Sequence, residues 1–398
     1  MSSQPARNPF RPSFGASPLH LAGRDDLVSS FSFGLLEGVG SPYRAVLLSG
    51  VRGVGKTVLL NELEDTGKAE GWVVLRCYPD DQLVDTLVHT SIPELLEQLN
   101  PTPRRRLSGG SIMGMGSVRT ESNPEAHKRS PRPTLITRLR ELTEELRPQG
   151  VGVLLTLDEV QAVKSTVIHE LATAVQDLIR DQYDIAFVAA GLPHGVDELL
   201  QHEGTTFLRR AQRVDLHNVS VADTRAALLN TIEDSGRHIE ADALEAAVIL
   251  CHGYPYLIQV VGSLMWAVAS RTGAQTIVSE HVRSIQDEVV KRMGQQVHRP
   301  ALMTVPDGEM RLLRAMAELM EDVPSEKPSG NPGAADAEGI TATVRMAPTA
   351  AIAHQLNIAP NGISARRSRL MRRDLICSPR FGYLAFTLPY LEEYILSH

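Results

Sequence analysis

The glycine-rich segment Gly50-Val51-Arg52-Gly53-Val54-Gly55-Lys56-Thr57 constrains the fold more than any other part of the chain. It fits the pattern G-x-x-x-x-G-K-[ST], and it lies between the apolar run 45–48 and the apolar-periodic stretch 58–63. Glycines are needed in such a turn because backbone N–H groups must point inward and approach phosphate oxygens closely. The order strand, turn and helix therefore predicts a phosphate site at a helix N-terminus, where the helix dipole favours an anion.

Two side chains at the end of this segment have predicted roles. Lys56 is expected to reach the β- and γ-phosphates of ATP, and the hydroxyl of Thr57 is expected to bind Mg²⁺. The residues from Gly50 to Gly55 are expected to contact the nucleotide through the backbone. The predicted cofactors are therefore ATP and Mg²⁺.

An acidic pair closes a second apolar run. Residues 151–157 are predicted to form a buried strand that ends in Asp158-Glu159. We expect Asp158 to hold Mg²⁺ together with Thr57, and Glu159 to polarise the attacking water. An acidic pair after a strand is more often a helix cap, so this assignment depends on the glycine-rich segment.

Strands alternate with helices up to residue 216 and only helices follow as far as residue 293, which predicts an α/β fold with a parallel sheet and then an all-helical domain. The insertion 101–133 is rich in proline, glycine and basic residues and is expected to be flexible. The predicted divisions are an N-terminal extension 1–20, an α/β domain 21–216, a helical lid 217–298 and a C-terminal domain 299–398, in which 322–346 is a loop or linker.

The balance of charge excludes a globally basic nucleic-acid surface. The 398 residues include 40 Lys and Arg against 47 Asp and Glu, a formal charge of −7, so a nucleic-acid contact must come from a local patch. The three cysteines lie far apart without a CxxC pair, which argues against a zinc knuckle or a disulfide framework and suits a reducing compartment. No apolar run approaches the roughly 20 residues of a membrane span. A cytoplasmic protein without membrane contact is therefore expected.

The end of the chain carries a local basic patch. Helix 349–356, a turn, helix 363–373 and a β-hairpin follow one another, which is the order of a winged helix. At helical spacing Arg366, Arg369 and Arg373 share one face, which suits contacts with phosphates and guanine edges of duplex DNA. The alternative is a winged helix that contacts protein and whose arginines are merely solvated. The predicted DNA contacts are Arg366, Arg367, Arg369, Arg373 and Arg380.

Over residues 18–295 the chain resembles the AAA+ P-loop ATPases, in particular the group related to origin-recognition ATPases and to the STAND signalling NTPases. Segment 50–57 and Asp158-Glu159 match the Walker motifs, and Gly23-Arg24 resembles the box that packs beside adenine. Gly253-Tyr254-Pro255 resembles the GxP motif of these families, which implies that Pro255 contacts the nucleotide. The C-terminal order resembles the winged helix of origin-recognition ATPases.

The resemblance also implies that Arg209 and Arg210 form an arginine finger that acts on a neighbouring subunit. Both could equally be surface arginines at a helix C-terminus, and Pro255 could simply be a proline in a first helical turn. Two departures from the family pattern predict slow hydrolysis. The sensor-1 strand ends in the apolar Ala189-Ala190-Gly191, and a sensor-2 arginine is missing.

The leading hypothesis is an ATPase that hydrolyses ATP slowly and acts as a nucleotide switch for duplex DNA binding through the winged helix. The alternative is a STAND-like signalling ATPase whose C-terminal domain binds a protein partner. A third possibility is a nucleotide binder that does not hydrolyse ATP.

Overall fold

The computed structural model describes residues 7–13, 15–99, 132–201, 203–324 and 343–398. The predicted insertion 101–133 lies, except for residues 132 and 133, outside the described residues. Within the described part of the chain, no helix is both long and apolar enough to cross a membrane.

A parallel sheet forms the centre of the first domain. Its strand order is β2-β3-β4-β1-β5, and every residue of β3 and β4 is buried because helices cover both faces of the sheet. The carboxyl ends of β1 and β3 meet at one edge of the sheet, and this edge carries segment 50–57 and Asp158. The strands are β1 (Ala45–Gly50), β2 (Val73–Cys77), β3 (Val153–Leu157), β4 (Ile185–Gly191) and β5 (Gln212–Leu216).

Seven helices of this domain are described: α1 (Asp25–Glu37), α2 (Lys56–Ala69), α3 (Leu83–Thr86), α4 (Ile92–Leu99), α5 (Leu135–Leu146), α6 (Ser165–Arg180) and α7 (Pro193–Gln201). The sequence of residues 83–99 is typical of a helix that breaks at Pro93. The helical path instead continues through a π-helical turn, Leu87–Ser91, that precedes this proline. Pro93 has no N–H and its ring crowds the carbonyl of residue 89, so the wider turn absorbs the misfit.

The second domain, the helical lid, contains α8 (Val221–Asp234), α9 (Ala241–Cys251), α10 (Pro255–Thr272), α11 (Ser279–Arg283) and α12 (Gln286–Met293), with the strand pair β6 (His238–Ile239) and β7 (Thr276–Ile277). Ser220 caps α8, as its sequence position predicts, because its Oγ accepts a hydrogen bond of 3.0 Å from the backbone N–H of Asp223. The α/β class followed by a helical domain is therefore confirmed.

The C-terminal domain contains α13 (Arg299–Leu302), α14 (Asp307–Glu318), α15 (Thr349–Gln355), α16 (Pro360–Arg372) and α17 (Leu391–Ser397). Its antiparallel sheet, in the order β10-β11-β9-β8, consists of β8 (Glu321–Pro324), β9 (Thr343–Pro348), β10 (Ile376–Cys377) and β11 (Tyr383–Phe386). The predicted loop at 322–346 therefore begins and ends in strands. Pairing between β8 and β9 outweighs the weak strand propensity of the short segment Glu321–Pro324.

The predicted boundary at 298/299 falls inside a continuous helical run. Helix α12 passes through the π-helical turn Gly294–His298 directly into α13. Buried residues of the helical lid, such as Trp266 and Met293, belong to the same apolar core as Leu312 and Ile395 of the C-terminal domain. The helical lid and the C-terminal domain therefore pack as one unit.

Candidate nucleotide site

The P-loop, residues 50–57, has the backbone shape that its glycines predict. Gly53 and Gly55 adopt positive φ angles of 73° and 97°, a region that favours glycine. A Cβ atom at Gly53 would also overlap the hydroxyl of Tyr254. Helix α2 begins at Lys56, directly after this turn, so its N-terminal backbone N–H groups point toward the space where phosphates would bind.

Lys56 is buried, and its ammonium donates hydrogen bonds of 2.9 Å and 3.0 Å to the backbone oxygens of Gly50 and Val51. Burial lowers the pKa of Lys56, and the nearby carboxylates of Glu159 and Asp158 oppose that shift. A buried ammonium that donates to carbonyl oxygens is ready to exchange these partners for phosphate oxygens, which are stronger acceptors.

The two predicted magnesium ligands lie side by side. The hydroxyl of Thr57 donates a hydrogen bond of 2.6 Å to Oδ2 of Asp158, while the backbone N–H of Glu159 donates to Oδ1 of Asp158 at 2.8 Å. A hydroxyl and a carboxylate are the hard oxygen ligands that Mg²⁺ prefers, so these residues fit the ion. Glu159 adopts the left-handed conformation, with φ of 52°, which costs a residue with a side chain about 1 kcal/mol.

The carboxylate of Glu159 has a partner that the sequence analysis did not identify. The amide nitrogen of Gln161 donates to Oε2 of Glu159, and its amide oxygen accepts a hydrogen bond of 3.0 Å from the backbone N–H of Leu192, just after β4. The sequence signal that could have identified Gln161 is its position two residues after the acidic pair.

A cavity of about 350 Å³ adjoins the P-loop, within the size range of small-molecule sites. Arg24 lines this cavity and donates a hydrogen bond of 2.7 Å to the backbone oxygen of His217, while burial lowers its pKa. Gly23 does not line it; a Cβ atom there would lie 2.6 Å from Oδ2 of Asp223. The cavity is bounded by Pro12, Arg24, Val54, Glu159, Ala227, Pro255, Ile258 and Val297, among others.

The N-terminal segment, residues 8–13 and 15–18, spans this cavity without forming a helix or strand. At one end Phe10 is buried against Gly262 of α10, and the backbone N–H of Arg11 donates to Oε1 of Gln259 at 3.0 Å. At the other end Asn61 of α2 donates to the backbone oxygen of Gly15 at 2.9 Å. The segment therefore joins the helical lid to the P-loop helix. We predicted it only as an irregular extension.

The GxP residues connect the helical lid to the P-loop. Pro255, which the resemblance implies contacts the nucleotide, begins α10 and lines the cavity. Tyr254 is fully buried, and its hydroxyl donates a hydrogen bond of 2.5 Å to the backbone oxygen of Arg52. Burial raises the pKa of Tyr254, so the phenol stays protonated and keeps donating.

Arg209 and Arg210 lie outside this site. Both are exposed at the end of the 3₁₀-helical segment Glu203–Arg210, and neither lines the cavity. Arg209 donates a hydrogen bond of 2.9 Å to the backbone oxygen of Leu200.

The arginine face of α16 has a partner inside the domain. Glu309 of α14 is buried and pairs with Nε of Arg369, while its Oε2 lies 3.7 Å from Nε of Arg373. Arg373 also donates a hydrogen bond of 2.8 Å to Thr304. The face predicted for Arg366, Arg369 and Arg373 is therefore not free, because a buried carboxylate attracts two of its arginines.

A carboxylate of the C-terminal domain lies near the P-loop. Asp374 follows α16 in the left-handed conformation and is 8% exposed, and its Oδ2 has no hydrogen-bond partner among the described residues. Burial raises the pKa of Asp374 to about 6, against the opposing effect of the positive charges of Lys56 and Arg52. Asp374 was not among the site residues predicted from the sequence.

Comparisons with known proteins bear on both ends of the chain. Residues 20–188 match the family described as AAA ATPase domain. Residues 295–395 match a family described as a domain of unknown function, DUF8462. No curated protein sequence matches the chain.

Several solved structures share the fold along nearly the whole length. The Walker-type ATPase of Pyrococcus abyssi is 15% identical, with a TM-score of 0.58 over 94% of this chain and 96% of that chain. The ORC2 protein of Aeropyrum pernix, in ADPNP–ADP complexes, is 15% identical, with a TM-score of 0.59 over 97% of this chain and 96% of that chain. The first domain has the AAA+ fold.

Within this AAA+ fold the predicted residues separate into two groups. One group surrounds a single site and consists of the P-loop residues with Asp158, Glu159, Arg24 and Pro255. The other group does not line the cavity and consists of Arg209, Arg210 and the arginines of α16. The contacts that the sequence analysis missed are those of Gln161, Asp374 and the N-terminal segment.

Proposed function

We propose that the protein binds ATP with Mg²⁺, hydrolyses it slowly, and uses its nucleotide state to control duplex DNA binding by the C-terminal domain. The observation that carries the first part is the contact of 2.6 Å between Thr57 and Asp158, beside a buried Lys56 at the start of α2. Side chains 101 residues apart converge there on a phosphate-binding turn.

The chemistry follows from the positions of the side chains. The P-loop backbone and Lys56 bind the phosphates, while Thr57 and Asp158 would hold Mg²⁺, which neutralises charge on the β- and γ-phosphate oxygens. Glu159 accepts a proton from the water whose oxygen attacks the γ-phosphorus, and ADP leaves with the bond electrons. Strand β4 ends without a polar side chain and no sensor-2 arginine was found, so we expect turnover below about 1 s⁻¹ without a partner.

Coupling to the C-terminal domain is supported by one hydrogen bond, one continuous helical run and one electrostatic interaction. Tyr254 joins the helical lid to the P-loop, and the continuous run from α12 to α13 joins the helical lid to the C-terminal domain. Asp374 lies near Lys56 and Arg52, so the negative charge of a bound triphosphate would repel its carboxylate. Nucleotide binding would therefore shift the position of the C-terminal domain.

The DNA-binding part of the proposal depends on the winged-helix order of α15, α16 and the β10–β11 hairpin. Arg366, Arg367 and Arg372 on α16, with Arg380 in the hairpin, supply positive charge to that surface. Because Glu309 neutralises part of the charge of Arg369 and Arg373, we expect moderate affinity with a clear dependence on salt.

Arg209 and Arg210 suit a role in self-association. They are exposed and do not line the cavity of their own chain, as expected for an arginine finger that reaches a neighbouring subunit.

A signalling ATPase of the STAND type is the second candidate. The observation that favours it is the pairing of Glu309 with the arginines of α16, because a surface with internal neutralisation also suits a protein partner.

Fluorescence anisotropy of a labelled duplex, with and without ATP and Mg²⁺ across a salt series, tests the proposal. We expect binding that weakens with salt, responds to ATP and falls in the Arg366→Ala/Arg367→Ala variant. The Arg271→Ala/Arg283→Ala variant, which removes two exposed arginines of the helical lid, should bind as the unchanged protein does. Absence of binding at low salt in both nucleotide states would favour the signalling function.

A further inference from the structure

The end of strand β4 has no polar side chain, yet a polar group occupies the space beside it. Strand β4 ends in Ala189-Ala190-Gly191, while the chain after β3 turns through Glu159 into a 3₁₀ turn, Val160–Ala162. Gln161 lies in this turn, half-buried, with its amide between Glu159 and the end of β4.

Two glycines lie against the side chain of Gln161. A Cβ atom at Gly191 would lie 2.9 Å from Oε1 of Gln161, and one at Gly195, in the first turn of α7, would lie 2.6 Å from the Cβ of Gln161. Both distances are shorter than normal packing contacts. A side chain at Gly195 would therefore collide with Gln161, and one at Gly191 would collide with Val160, at 2.4 Å, as well as with the Gln161 amide.

The orientation of the amide is fixed by its neighbours. The backbone N–H of Leu192 can only donate, so the group that accepts from it at 3.0 Å must be the amide oxygen of Gln161. The amide NH₂ group then faces Oε2 of Glu159, which as a carboxylate can only accept. Each polar atom of the amide thus has one assigned partner, and Glu159 is tied to the backbone that follows β4.

We propose that Gln161 is the positioning residue that holds the Glu159 carboxylate for ATP hydrolysis, in place of a polar side chain on β4 itself. This inference rests on the proposed ATPase activity. Gln161 donates a hydrogen bond to Glu159, the general base, and restricts the rotation of its carboxylate. Because Gln161 also accepts a hydrogen bond from the Leu192 N–H, the position of this carboxylate depends on the position of β4. Outer-shell partners of this kind contribute roughly 10- to 100-fold to activity.

The test compares Gln161→Glu and Gln161→Ala with the unchanged full-length protein. The glutamate variant keeps an oxygen for the Leu192 N–H and nearly the same volume, but loses the donor toward Glu159. We expect kcat for ATP hydrolysis to fall roughly 10- to 100-fold in both variants. The KM and the dissociation constant for ATP should change less than about twofold, because Gln161 does not line the cavity.

Gln176→Ala, an exposed glutamine on α6, is the matched control and should leave kcat unchanged. In a Glu159→Gln background, adding Gln161→Ala should lower kcat less than about twofold, because the residue to be positioned has lost its basic group. Multiplicative losses in the double variant, or a Gln161→Glu protein with normal kcat, would overturn the inference.

The two proposals fail in different ways. Turnover that depends on Glu159 but not on Gln161 overturns only the positioning role. A protein that binds ATP but shows no turnover dependent on Glu159 overturns both the positioning role and the proposed hydrolysis.

Discussion

The hydroxyl of Tyr254 donates a hydrogen bond to the backbone oxygen of Arg52, and the two atoms lie 2.5 Å apart. This contact joins the start of α10 to the turn that would bind phosphates. The tyrosine is fully buried and occupies the space that a side chain at position 53 would need. The shape of the P-loop and the position of the helical lid therefore depend on each other.

Replacing Tyr254 with phenylalanine removes that hydrogen bond and leaves most of the packing. We expect the loss to weaken ATP binding about two- to tenfold, since a hydrogen bond contributes about 0.5–1.5 kcal/mol. Isothermal titration calorimetry with ATP and Mg²⁺ measures the change. Tyr183→Phe, which removes a surface hydroxyl bonded to Glu144, is the control and should bind normally. Equal ATP affinities in all three proteins would show that this contact of the helical lid does not contribute to nucleotide binding.

Lys56→Ala removes the ammonium that is held beside the P-loop carbonyls. We expect ATP affinity to fall about 100-fold, as for the loss of hydrogen bonds to a charged group. Lys68→Ala changes an exposed lysine at the other end of α2 and should have no effect. If the affinity of the Lys56 variant is retained, the cavity is not the nucleotide site.

Asp374→Asn should change how stability depends on pH. The folded chain raises the pKa of Asp374 from 3.8 to about 6, so the folded state binds this proton more tightly than the unfolded state does. The stabilisation from protonation is complete below pH 4 and is lost as the pH rises through 6. The asparagine variant should match the unchanged protein below pH 4 and exceed it by about 3 kcal/mol above pH 7.

Chemical denaturation of both proteins across this pH range measures that difference. Asp85→Asn, an exposed change on α3, is the control for the loss of one carboxylate. A constant difference between the Asp374 variant and the unchanged protein would show that folding does not raise the pKa of this carboxylate.

Glu309→Gln removes the negative charge that pairs with Arg369 and Arg373. If α16 contacts DNA, both arginines become available for phosphate contacts. We then expect tighter duplex binding, and a plot of log K against log salt concentration whose slope is steeper by about one. The anisotropy titration measures both quantities, with Glu318→Gln at the exposed end of α14 as the control. Unchanged binding would place the contact surface away from these arginines.

Sequence reasoning was sufficient where a signal is local. The P-loop depends on glycines within eight residues, and the cap of α8 depends on Ser220 and a backbone N–H three residues later. Asp158 was predictable because the ends of parallel strands meet at one edge. The partner of Arg369 was not, because Glu309 lies 60 residues earlier and only the packing of α14 against α16 brings it close. For the same reason the proximity of Asp374 to Lys56 and the bond from Leu192 to Gln161 appeared only in the structure.

The apolar core shared by the helical lid and the C-terminal domain limits how this chain can be divided. A fragment that begins at residue 299 would lose the other half of the packing around Leu312 and Ile395, and would expose apolar surface to water. A chimera joined at that position would interrupt the helical run from α12 to α13. The C-terminal region is therefore not an exchangeable module, and its surface can diversify only while its inner face stays matched to the helices of the helical lid.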